Sequence, residues 1–183
     1  MRRFKISLPA VILSLLLPIF LSGVAYSDVE VLQVSPMELT KADVRQLNSN
    51  PAILSISGNI QSEQKILRLD NETIRKMGLS SYMVRDPWLE SRVTYTGVLL
   101  SHLLELTASE DYSSVLAIAS DGYRYEIPAT EIQRWPVLLA IENTPGEFGD
   151  KGPLRIIFPY DDHTDITMAR NMSVWSVAEL VVQ

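Results

Sequence analysis

Residues Asp121 to Asp162 constrain the fold more than any other part of this chain. They read DGYRYEIPATEIQRWPVLLAIENTPGEFGDKGPLRIIFPYDD. Two apolar runs, Val137–Ile141 and Leu154–Phe158, have the length of buried strands, and Pro or Gly stands near the ends of each. A shorter alternating run, Tyr123–Ile127, follows the hairpin signal Asp121-Gly122. Runs this short and this punctuated do not suit long helices. They predict small strands joined by tight turns.

The rest of the chain has the same grain. Val29–Val34 reads as a short strand or extended arm. Thr40 and Asp43 suit the start of a helix reaching about Leu47, because the Thr hydroxyl can accept from a first-turn N–H. Asn50-Pro51 ends it. Ala52–Ile60 alternates and breaks at Gly58-Asn59, and Lys65–Leu69 is a further strand. Asp70 caps a small helix, Glu72–Met77, which Gly78 terminates. Ser80–Asp86 is extended up to Pro87. Val93–Thr96 is a strand, Gly97 turns the chain, and Val98–Leu106 forms an amphipathic helix with Val98, Leu99, Leu103 and Leu106 on its inner face. Val115–Ser120 pairs across the hairpin with Tyr123–Ile127. Pro128 and Glu131 open a short helix ending near Arg134. Ser173–Val182 reads as two extended pieces or one strand broken near Ala178-Glu179. Many short strands with small helices predict one α+β domain, compact and β-rich, with mixed and antiparallel pairing.

The first residues stand apart. Arg2, Arg3 and Lys5 precede a nearly apolar run from Ile6 to Leu21, and small residues follow. This is the layout of a secretory signal peptide over residues 1–27, with cleavage near Ala25 or Ser27. An uncleaved membrane anchor is the competing reading, but the run is short for a span of about 20 residues. The expected organisation is a signal peptide at 1–27, an arm and helix at 28–50, and a domain at 51–183. The expected address is periplasmic or secreted, with no stable membrane insertion after cleavage.

Removing 27 of the 183 residues removes three positive charges and no negative one, so the net charge moves from −6 to −9. A domain this acidic, without a basic stripe, is a poor nucleic-acid binder. The chain has no cysteine. Thiolate nucleophiles, thiolate metal ligands and dithiol exchange are therefore ruled out. No phosphate-binding glycine motif and no GxSxG elbow is present.

From about Ile53 onward the chain resembles the molybdopterin-binding domain of the sulfite-oxidase-like oxidoreductases, in particular its small exported single-domain members. The residues that carry this are SGNI at 57–60, YTGVLLSHLLEL at 95–106, DGYRYEIPATEI at 121–132, RWPVLLAIEN at 134–143, KGPLRIIFPYDD at 151–162 and SVW at 173–175. The resemblance implies the compact fold of that family and molybdopterin as a cofactor. It also implies a role for Arg155 near the pterin phosphate, and for Gly152 in letting the backbone come close. Trp175 matches the aromatic of a lysine–tryptophan pair whose lysine position holds Val174. The family's molybdenum-ligating cysteine has no counterpart between Asp86 and Val93, or anywhere else.

Several polar residues invite a chemical reading. Asp161, Asp162, His163 and Asp165 could ligate a divalent metal, or could form a solvated loop with Asp162 or Thr164 capping a turn. His102 reads as a helix-surface residue. Trp88, after Asp86-Pro87 and flanked by Arg85, Glu90 and Arg92, can line a cleft for a planar anion, or can simply cover a sheet edge. Tyr95, Tyr123 and Tyr125 read as packing residues, and Tyr160, at a strand end, as a pocket candidate. Arg155 sits between Leu154 and Ile156, so its guanidinium must meet solvent, a carboxylate or a ligand.

These observations lead to one expectation and two alternatives. The chain is expected to be an exported, non-catalytic module of the molybdopterin-binding type. It would hold a pterin-like or other small anionic ligand, or an envelope partner protein, at Trp88, Arg92, Gly152, Arg155 and Tyr160. No catalytic residue and no metal ligand is assigned. The first alternative is a molybdopterin-dependent oxidoreductase whose molybdenum is held by the dithiolene alone or by an oxygen ligand such as Asp86. The second is a periplasmic sensor or adapter domain. Arg155→Ala is expected to abolish anion binding while leaving the fold nearly intact.

Overall fold

The computed structural model describes residues 29–109, 111–144, 146, 148–149 and 152–183. The expected signal peptide lies outside these residues. Two five-stranded sheets share one contiguous apolar core. The first sheet runs β1 (Leu32–Gln33), β4 (Ser80–Asp86), β5 (Ser91–Leu99), β8 (Leu138–Asn143) and β9 (Arg155–Ile157), and every pairing in it is antiparallel. The second runs β3 (Ile66–Leu69), β2 (Leu54–Gly58), β10 (Val177–Val182), β6 (Ser114–Ala119) and β7 (Arg124–Pro128). Its β10–β2 pairing is parallel and the others antiparallel. Among the described residues five short helices accompany the sheets: α1 (Lys41–Val44), α2 (Asn71–Arg75), α3 (Leu100–Thr107), α4 (Ala129–Arg134) and α5 (Ile166–Met172). The result is an α+β domain, β-rich, with mixed and antiparallel sheets, as the sequence predicts. Among the described residues no helix is long and apolar enough to cross a membrane.

Local chemistry explains the helix starts. Thr40 and Asp43 form a reciprocal capping box, with Asp43 N–H donating to Thr40 Oγ1 at 3.3 Å and Thr40 N–H to Asp43 Oδ2 at 2.9 Å. Asp70 accepts from Thr73 N–H at 2.8 Å and starts α2. Both helices are single turns or little more. Tertiary packing of Val44 and Ile74, each fully buried, has to hold them. Burying side chains of that size contributes about 1.5–3 kcal/mol apiece.

Three expectations need correction. Gly97 does not turn the chain. β5 runs through it to Leu99, and α3 begins only at Leu100. The glycine is needed because β8 crosses it closely: a Cβ there would stand 2.1 Å from the Leu139 carbonyl oxygen. The pairing also shifts register between Thr96 and Gly97. The inner face of α3 is accordingly Leu100, Leu103, Leu104 and Leu106 rather than a set beginning at Val98. Second, α5 was not anticipated. Asp165 caps it by accepting from Met168 N–H at 2.9 Å, so the cap is neither Asp162 nor Thr164. Third, the final segment is one strand, β10, with its irregularity between Val177 and Glu179.

The connection from β4 to β5 positions the candidate site. Asp86 is the last residue of β4 and is fully buried. Residues 87–90 make the turn, and β5 returns antiparallel with Arg92 opposite Arg85 and Tyr95 opposite Tyr82. Val84, Asp86, Val93 and Tyr95 face inward, whereas Met83, Arg85 and Arg92 are exposed.

Candidate functional site

Asp86 organises the site. Its Oδ1 accepts from the backbone N–H groups of Trp88 and Leu89, each at 2.8 Å, which folds the turn back over the end of β4. Its Oδ2 accepts a short hydrogen bond from the Tyr95 hydroxyl. The same oxygen faces Arg155 Nη2 at 3.8 Å. Burial, followed by the bond to Asp86, pushes the Tyr95 hydroxyl well above the usual phenol range, so it stays protonated and donates.

Arg155 is 4% exposed. It enters from β9, whose backbone pairs with Ala140 on one side and bridges to Trp175 on the other. Three rings surround its guanidinium: Trp175 at 4.2 Å, Phe148 at 5.3 Å and Tyr95 at 5.7 Å. Its Nε and Nη2 are buried and make no hydrogen bond among the described residues. A separation of 3.8 Å is an ion pair without a hydrogen bond. The cation is therefore neutralised by charge and by aromatic faces, while two of its nitrogens lack hydrogen-bond acceptors.

Trp88 extends this arrangement towards the surface. Its ring meets Trp175 edge-on at 5.0 Å and Tyr160 at 5.8 Å. The exposed Arg170, from α5, lies over Trp88 at 5.6 Å. Two cations thus flank two indoles, one cation buried and one at the surface. Tyr160 is buried and bonds to Ser173 Oγ at 2.9 Å. The Ser173 hydroxyl gives its proton to the Ala169 carbonyl at 2.7 Å, so Tyr160 is the donor to Ser173. Burial raises the Tyr160 hydroxyl as well.

The sequence-derived site residues separate in the structure. Trp175 meets both Trp88 and Arg155, and Tyr160 joins them through Trp88. Gly152 belongs at the margin. It precedes a cis peptide bond to Pro153, and a Cβ on it would lie 3.2 Å from Phe148 Cβ, so its lack of a side chain makes room for the ring beside Arg155. Arg92 is on the other face of the first sheet. It lines a separate groove of about 460 Å³ with Glu30, Met83, Asp161 and Asp162. Arg170, Phe148 and Tyr95 join the site without having been singled out for it. Only Tyr95 carried a signal, since it is in phase with the buried Val93.

The Asp161–Asp165 cluster disperses into separate structural duties. Asp161 accepts from Arg85 N–H at 2.9 Å, Asp162 from Val29 N–H at 2.7 Å, and Asp165 caps α5. His163 is buried and bonds to Glu131 at 3.1 Å. Among the described residues no group of three or more His, Cys, Asp or Glu side chains could hold a metal. His102 is exposed on α3, as its sequence context suggests.

No family model matches the chain, and no curated protein matches it.

Proposed function

We propose that this chain is an exported, non-catalytic binding module of the molybdopterin-binding type, and that it takes a small planar anion against Trp88 and Trp175. The observation that carries the reading is Arg155: a buried arginine, two of whose nitrogens have no acceptor among the described residues, stacked into an aromatic wall that continues to a second, exposed arginine. Planar anions are recognised by this combination of stacking surface and guanidinium donors. The export claim rests on the basic, apolar and small-residue layout of the first 27 residues.

The residues suit the organic, anionic part of a pterin cofactor better than a metal. Trp88, Trp175, Arg155 and Arg170 would hold such a group, and a bound molybdopterin would supply a dithiolene. For an oxygen ligand, Asp86 is poorly suited. Its Oδ1 already accepts two N–H groups, and its Oδ2 accepts the Tyr95 hydroxyl and faces Arg155. We assign no redox step to this site.

A second reading, a partner-protein adapter, is favoured by one observation. Val31, Leu32, Val34, Met37 and Met83 leave large apolar side chains exposed around the β1–β4 edge. Elemental analysis for molybdenum, with pterin fluorescence after oxidation, tests the main reading on protein purified from its own compartment. Near-stoichiometric molybdenum would overturn the non-catalytic reading.

A further inference from the structure

His163 is held by two partners with opposite tolerance for protonation. Its Nδ1 lies 3.0 Å from the backbone nitrogen of Asp165. A backbone N–H only donates, so Nδ1 must accept, and the ring proton is on Nε2. Nε2 faces Glu131 Oε2 at 3.1 Å and donates to it. The same Glu131 oxygen accepts from Trp135 Nε1 at 3.1 Å. The ring is clamped between Trp135, 4.9 Å away and tilted by 31°, and Phe158, edge-on at 5.7 Å.

A second proton changes only one side of this arrangement. On the Glu131 side the hydrogen bond survives and gains charge. On the Asp165 side an N–H would face an N–H, and the bond is lost. Asp165 is the residue whose carboxylate caps α5. We propose that His163 is an acid-sensitive latch: protonation releases Asp165 and loosens the N-terminal turn of α5, while Glu131 keeps the ring in place. The charged side chain that faces the ring is Glu131 on α4; Asp165, in its own loop, meets the ring through its backbone N–H and turns its carboxylate to Met168. Arg134 lies over the neighbouring Trp135 ring at 4.9 Å. α5 carries Arg170, so the latch bears on the surface end of the aromatic wall. The latch acts whatever that wall binds, and the protein without ligand should show it.

The test is an NMR titration of the isotope-labelled chain from about pH 8 to about pH 5, the range in which imidazoles ionise. The His163 ring signals and the amides of Asp165 and Met168 should follow one common midpoint. On its acid side the Asp165 and Met168 amides should exchange with solvent about tenfold faster, after correction for intrinsic rates, as expected for losing one hydrogen bond. Glu131→Gln should keep the coupling. His163→Gln should remove the pH response of both amides. If the ring titrates while those amides stay unmoved in the wild-type chain, or if His163→Gln keeps their response, the latch does not exist.

Discussion

Arg155 Nη2 and Asp86 Oδ2 face each other at 3.8 Å with both side chains almost wholly buried. The two residues come from strands at different positions in the first sheet, β9 and β4, with β5 and β8 between them. Their pairing ties the edge of the sheet to the turn that carries Trp88. It also changes what removing the arginine does. Arg155→Ala would leave Asp86 buried with three hydrogen bonds and no counter-ion, so the fold is not expected to be nearly indifferent.

Arg155→Met should lower stability by about 3–5 kcal/mol, and Asp86→Asn by a similar amount, because each leaves one buried partner uncompensated. The double variant should cost clearly less than the sum of the two. Urea unfolding of all four proteins measures the coupling. Additive losses would mean that the pair does not interact across 3.8 Å.

Tyr95→Phe removes a hydroxyl that donates to Asp86 and leaves the aromatic packing in place. A loss of about 1.5–3 kcal/mol is expected, as for a hydrogen bond to a charged group. Alkaline titration gives an independent check. Burial raises the hydroxyls of Tyr82, Tyr95 and Tyr160 above the ordinary phenol value. A raised folded-state value contributes stability that is complete below the unfolded value of about 10 and is lost as pH rises beyond it. Absorbance should therefore show these three ionising only with alkaline unfolding.

Gly97→Ala should destabilise by about 3 kcal/mol or more, because a methyl group cannot share space with the Leu139 carbonyl and the obstacle is backbone rather than a movable side chain. Thermal unfolding of this variant beside Gly122→Ala separates crowding from backbone strain. The position at Gly122 has positive φ but no atom within 4 Å of the added carbon. Its cost should be the smaller, about 1 kcal/mol.

Much of the fold was legible where chemistry is local. β4 was read to the residue because Pro87 ends it sharply. α1 and α2 were marked by Thr40–Asp43 and Asp70, whose caps need only neighbours three residues away. α5 was missed because its burial rests on Ala169 and Met172 while Ile166 is exposed, so it shows no apolar stripe. Gly97 misled because close approach of another strand and a turn call for the same residue. The order of strands, with β10 placed between β2 and β6, depends on pairings between distant segments that no local pattern encodes.

The site divides along the same line. Trp88, Tyr160 and Arg155 stand out as single residues in unusual settings. Arg170 could not be recognised because its relevance comes from a helix that was not anticipated. Arg92 was placed with them by sequence proximity to Trp88. Yet it is out of phase with Val93 and Tyr95, and strand alternation sends it to the opposite face.

Arg170 offers the cleanest handle on binding, since it is exposed and makes no ion pair among the described residues. Arg170→Ala should leave stability within about 0.5 kcal/mol, as for other surface changes, and should weaken any anion held on Trp88. Trp88→Ala should weaken it further and also loosen the contacts to Tyr160 and Trp175. Comparing the two by urea unfolding and by ligand retention separates binding from packing.

The most direct measurement is a native mass spectrum of the protein purified from its own compartment. The expected result is a near-stoichiometric added mass of a small anionic molecule, without molybdenum, that is reduced in Arg170→Ala and lost in Trp88→Ala. A wild-type chain with no added mass, or an added mass unchanged in both variants, would contradict the assignment of this aromatic wall as a binding site.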